Sequence, residues 1–160
     1  MPPALPLSPP SESHSRQHTG TLQLVSFRLA DEEYALPITQ VREIVLMAPI
    51  TRVPQAPNYI EGLINLRNTV IPVIDLRRRF GMPHQAPTQD TRIVVVNLHG
   101  RTTGLVVDAV CEVFRIAHEQ ITPPPPTVTG PDRSFLTGLV KLEKRLVIVL
   151  DLDRLMENES

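Results

Sequence analysis

The chain contains no tryptophan and a single cysteine, Cys111, so neither an internal disulfide nor a CxxC-type redox or metal motif is open to it. Aromatic residues make up only 4% against a hydrophobic fraction of 41%, which leaves the core to Val, Leu and Ile, residues that suit pleated, half-buried surfaces. A mostly β protein is expected. A net charge of −1 provides no general field for nucleic acid or anionic membrane. No apolar run approaches the ~20 residues of a membrane span, and the leader MPPALPLSPP lacks a basic start and a sustained apolar core. A soluble, cytoplasmic protein without direct membrane insertion is the expectation.

Catalytic signatures are also missing. There is no GxSxG, no Walker glycine loop and no GxGxxG. The histidines, His14, His18, His84, His99 and His118, have no partner at ligand spacing. No catalytic residue, metal or cofactor is expected, and the chain is read as a non-enzyme.

What is present is a repeat. Residues 62–79, GLINLRNTVIPVIDLRRR, return as residues 138–154, GLVKLEKRLVIVLDLDR, at a constant offset of 138 − 62 = 76. Gly62, Leu63, Leu66, Val73, Asp75, Leu76 and Arg78 meet identical residues there. Residues 24–44 align without a gap on 93–113 at an offset of 93 − 24 = 69, with Val41/Val110 and Glu43/Glu112 among the identities. The difference, 76 − 69 = 7, assigns seven extra residues to the second copy, in an excursion over Pro123 to Ser134.

Within the first copy, 22–30 and 34–38 read as strands, 39–45 as a short helix from the spacing of Val41, Ile44 and Val45, and 50–53 as a further strand. Two β-branched runs around Arg67-Asn68 form a hairpin, because Asn tolerates the left-handed turn backbone. Asp75 and its counterpart Asp151 then cap short helices. The second copy repeats the plan, with a helical turn around 108–113. Residues 1–20, rich in Pro and Ser, read as a disordered tail, and 21–157 as the folded domain. Its first copy is about 22–80, the joint 81–90 and the second copy about 91–156. Five short strands per copy would expose apolar faces as an open sheet, so each is expected to close into a small barrel. Roughly 50 to 60 residues per copy is marginal for an independent core, so the copies should pack together.

Arg77-Arg78-Arg79 with Arg52 and Arg67 raises a small β-barrel oligonucleotide binder as a remote alternative. Against it stands the lack of an aromatic stacking row, so no nucleic-acid partner is expected. Arg67 aligns with Glu143, and a charge that differs between copies is better explained by a partner than by the fold.

The segments VREI at 41–44, TRVPQAPNYIEGLINLRNTVIPVIDLRRRFG at 51–81, GLVVDAV at 104–110, FLTGLVKL at 135–142 and LVIVLDLDRL at 146–155 carry a resemblance to the CheW family of chemotaxis coupling proteins. The resemblance implies two pseudo-symmetric, five-stranded SH3-like barrels packed together, with short helices. It also implies a non-enzymatic scaffold coupling transmembrane chemoreceptors to the CheA histidine kinase, associated with membrane receptor arrays through its partners. By matching positions, Val41 and Glu43 fall where the family meets the kinase regulatory domain. Gly62, Arg67, Thr91 and Val113 fall where it meets the receptor's cytoplasmic tip. A coupling protein of a chemosensory-like pathway for surface motility or second-messenger output is the alternative within the class. Asn68 stands where the family usually has Gly, and Arg92 places a charge beside Thr91.

Overall fold

A computed structural model describes residues 20–125 and 134–157 of the chain. The tail, residues 1–19, and most of the excursion, residues 126–133, lie outside the described residues. Eleven strands and two short helices follow in order: β1 (Thr21–Leu29), β2 (Glu32–Pro37), β3 (Val41–Leu46), β4 (Ile60–Leu66), β5 (Thr69–Asp75), α1 (Leu76–Arg79), β6 (Arg92–Leu98), β7 (Arg101–Val107), β8 (Ala109–Ala117), β9 (Ile121–Thr122), β10 (Leu136–Leu142), β11 (Arg145–Leu150) and α2 (Leu152–Met156). Single 3-10 turns precede β3 and β9.

The short helix expected over 39–45 is a strand instead. Residues 41–46 alternate between half-buried and exposed positions, and β3 pairs antiparallel with β6, Ile44 opposite Val94. Val41, Ile44 and Val45 satisfy a helical spacing by coincidence, and β-branching decides for the strand. The same holds at 108–113, which enters β8. The strand expected at 50–53 reduces to one bridge, Thr51 to Leu63.

The strands form two sheets, ordered β3-β6-β7-β5-β4 and β8-β1-β2-β11-β10-β9. Shifting every element by the repeat offset turns the first order into the second, with β9 taking the place of the Thr51 bridge. The registers agree as well: Val41 faces Val96 as Val110 faces Phe27, and Val73 faces Gly104 as Val149 faces Ala35. Duplication is thus visible in three dimensions.

The sheets do not coincide with the copies, however. Each takes β1-β2 or their equivalents, β6-β7, from one copy and the remaining strands from the other. The boundaries at about 22–80 and 91–156 are those of the sequence repeat; neither segment holds a complete sheet.

Each sheet wraps its own cluster, Ile64, Ile71, Val73, Ile93 and Val95 in one and Leu24, Ala35, Ile116, Val140, Val147 and Val149 in the other. A third, larger cluster lies between them and includes Phe27, Leu36, Leu76, Phe80, Val94, Leu105, Phe135 and Leu152. An aromatic row, Phe27, Tyr34, Phe80 and Phe135, runs through it with centroids 5.4 to 6.3 Å apart. Fully burying each Val, Leu or Phe contributes about 1.5 to 3 kcal/mol, so this shared core is what fuses the sheets.

Candidate functional site

The β4–β5 hairpin turns on Arg67 (φ 51°) and Asn68 (φ 67°), two consecutive left-handed residues as a two-residue turn of the tight mirror type requires. Asn fills the second place at modest cost, and Arg67 is carried out to the tip with its side chain 72% exposed. On β3 a bulge between Val41 and Glu43 breaks the register and re-aims Glu43 toward that tip. The guanidinium donates two parallel bonds to the carboxylate, at 2.6 and 2.7 Å.

Those two hydrogen bonds hold the Glu43 carboxyl below its ordinary range and raise Arg67 above its own. β3 and β4 are opposite edges of one sheet, so the pair draws the edges together. A shallow recess of about 160 Å³ beside it is floored by Ile71 and Val95 and rimmed by Arg42 and Thr102.

In the other sheet the equivalent glutamate, Glu112, also finds an arginine, Arg145 at the start of β11. Arg145 binds Glu33 at 2.9 Å as well. Each glutamate thus reaches from a bulged edge strand across its sheet to an arginine, and Arg67 is the more exposed of the two arginines, 72% against 44%.

Outward-facing aliphatic residues complete the surface in equivalent pairs. Ile44 and Val113, 69 residues apart (113 − 44), are 39% and 48% exposed; Val70 and Leu146, 76 apart (146 − 70), are 63% and 50% exposed. Leu46 adds a further exposed position on β3. Sequence reasoning singled out Val113 and missed the others. For Ile44 and Leu46 the available signal was strand alternation over 41–46, hidden by the helical reading; Val70 and Leu146 lie on strands that the sequence does indicate.

The remaining sequence-selected residues are not gathered with Arg67. Val41 is half-buried against the shared core. Gly62 is buried, and a Cβ there would lie 2.2 Å from the Thr51 carbonyl oxygen, so its first role is close backbone approach. Thr91 is buried, and its hydroxyl accepts the Thr88 N–H at 2.8 Å. Arg92 turns back onto the Gln89 and Thr91 carbonyls at 2.8 and 2.9 Å.

Thr91 lies in the wall of a second feature, a cleft of about 360 Å³ where α1, the 81–90 joint and the β1–β2 turn meet. Arg77 donates to Asp108 through Nε (3.0 Å) and a terminal nitrogen (2.7 Å), and Asp108 also accepts the Ala30 N–H at 2.8 Å. Burial pushes the Asp108 carboxyl upward, but the bonds from Arg77 and Ala30 prevail and set it below its usual range. Asp75 caps α1 by accepting the Arg77 N–H, as Asp151 caps α2. His84 meets the other Asp75 oxygen at 2.9 Å, with Glu61 beside them, a grouping that linear spacing did not reveal.

All three arginines of the 77–79 run are engaged internally. Arg77 holds Asp108, Arg78 reaches the Asn58 carbonyl, and Arg79 stacks over Tyr59 and Phe135 with its charge 4.3 and 4.9 Å from the ring centres. That use accounts for the basic run without a phosphate backbone.

A model of the CheW-like domain matches residues 23–160. The chemotaxis protein CheW of Rhizobium meliloti is 36% identical over 141 residues, 88% of this chain and 91% of that protein. The chemotaxis protein CheW of Helicobacter pylori is 37% identical over 148 residues, 92% of this chain and 88% of its own length. Among solved structures, the scaffolding protein TtCheW of Thermoanaerobacter tengcongensis is 44% identical, with a TM-score of 0.79 over 86% of this chain and 93% of that one.

Proposed function

Since the chain belongs to the CheW-like domain family, we propose that it is a non-enzymatic chemotaxis scaffold that binds a CheA-type histidine kinase and a chemoreceptor's cytoplasmic tip at once. The observation that carries this reading is the surface: equivalent exposed aliphatic positions, Ile44 with Val70 and Val113 with Leu146, on two different sheets that share one core. A scaffold needs two separate faces at fixed geometry, and a duplicated fold with a shared core supplies them.

Two partners bound simultaneously gain effective concentration for each other without any catalytic group. The exposed Arg67–Glu43 pair stands beside a recess of mixed lining floored by Ile71 and Val95, and arginine is a frequent interface anchor. Val41 and Glu43 are proposed for kinase contact and Arg67 and Val113 for receptor contact, with Gly62 and Thr91 supporting the receptor side from within the fold; Arg67, bonded to Glu43, borders the kinase contact as well. Among the described residues no helix is long and apolar enough to cross a membrane, and association with receptor arrays through the partners is part of this proposal.

A pull-down from native lysate with the full chain as bait, scored for histidine kinase and receptor, tests the reading. Recovery of both supports it, and recovery of neither removes it.

A further inference from the structure

The cleft beside α1 gathers metal-ligating groups from three elements: Glu61 on β4, Asp75 at the end of β5 and His84 in the joint. We propose that these three side chains bind one divalent transition-metal ion of the zinc type, with water from the open cleft completing its shell.

Their donor atoms all lie within 4.8 Å of one another. Ligands bonded at 2.0 to 2.2 Å around a tetrahedral ion stand about 3.3 to 3.6 Å apart, so rotation of the side chains by an ångström or so brings the three donors onto one ion. Asp75 and His84 already meet at 2.9 Å as a hydrogen-bonded pair, a contact that an ion between them would replace.

Asp75 divides its oxygens between two tasks. Oδ1 accepts the Arg77 backbone N–H at 3.1 Å, while Oδ2 faces His84. An outer hydrogen bond of this kind fixes a ligating carboxylate in place, and Asp75 is only 4% exposed.

The fold itself asks only for the aspartate. In the second copy Asp151 keeps the capping role, Thr137 stands at the place of Glu61, and no histidine matches His84. The Glu61 side chain takes part in no hydrogen bond or ion pair among the described residues. Three donors converge, and the equivalent architecture in the second copy does without two of them, Glu61 and His84, which is what a ligand site looks like and a cap does not.

Charge points the same way. The cleft is lined by four carboxylates, those of Asp31, Glu61, Asp75 and Asp108, against the guanidiniums of Arg28 and Arg77. Arg77 is already paired with Asp108. The nearest competing cation is Arg78, whose Nε lies 3.6 Å from Asp75 Oδ2 while its terminal nitrogen reaches outward to the Asn58 carbonyl. One imidazole nitrogen with two carboxylate oxygens favours transition ions over calcium or magnesium.

The proposal stands apart from the adaptor reading, and its test uses the full chain, stripped with a chelator and titrated calorimetrically with zinc chloride. One ion per chain is expected, with magnesium giving no comparable heat. Glu61→Gln and His84→Gln should each weaken zinc by about tenfold or more, with metal-free melting temperatures unchanged, while His99→Gln should bind as the wild type does. Absence of saturable zinc binding, less than tenfold weakening in either cleft variant, or equal loss in His99→Gln would each overturn it.

Discussion

Arg67 and Glu43 join opposite edges of a single sheet through two bonds of 2.6 and 2.7 Å, although 24 residues separate them in the chain. Because the pair lies within one sheet at an exposed tip, it does not hold the two sheets together. Arg67→Ala is therefore expected to leave the melting temperature nearly unchanged while weakening one partner complex by about tenfold. Glu43→Ala should have a comparable effect, since losing either side chain releases the other. Double substitution should be no worse than the more severe single change. Affinities of the single and double variants check this; strict additivity would show that the two residues act separately.

The exchange of strands between copies makes the two sheets one cooperative unit. Segments 20–80 and 91–157, expressed separately, are expected to remain unfolded by near-ultraviolet circular dichroism, and the intact chain to melt in one calorimetric transition. Phe80→Ala, which interrupts the aromatic row in the shared core, should cost about 3 to 5 kcal/mol. Two separable transitions would contradict a shared core.

Gly62→Ala places a methyl group 2.2 Å from the Thr51 carbonyl oxygen, and Gly138→Ala places one 2.6 Å from that of Thr122. Each should destabilise by about 1 to 3 kcal/mol, measured by urea denaturation. Loss of receptor binding in Gly62→Ala ought to track that loss of folded protein.

Asp108 titrates below its ordinary value when folded, so its charge stabilises the fold at pH above the unfolded value, near 3.9. That contribution disappears as pH falls through the lower folded value. Asp108→Asn should thus be less stable than wild type at pH 7, by about 1 to 3 kcal/mol, and the difference should shrink progressively as pH falls below about 4. A constant difference down to pH 3 would assign the effect to shape alone.

The duplication, the hairpin at Arg67-Asn68 and the caps at Asp75 and Asp151 were legible because each depends on residue types at short or constant spacing. Val25, Phe27, Ile64, Val73, Val94, Val96, Val147 and Val149, the inward positions of that pattern, are all buried. β3 was misread because six residues cannot separate a period of 2 from one of 3.6 when Val41, Ile44 and Val45 fit both. Strand exchange was invisible for a different reason. A repeat offset says which segments are alike, and pairing within or between copies satisfies it equally. The meeting of Arg67 with Glu43, and of Glu61 with Asp75 and His84, depends on that tertiary arrangement.

Co-sedimentation with receptor-bearing membranes tests the central claim most directly. Native membranes carrying the chemoreceptors are mixed with the purified histidine kinase, with and without this chain, and kinase in the pellet is measured. The scaffold account predicts that kinase sediments only when the chain is present and that Arg67→Ala, fully folded, reduces the amount. Kinase pelleting to the same extent without the chain, or the chain itself remaining in the supernatant, would contradict it.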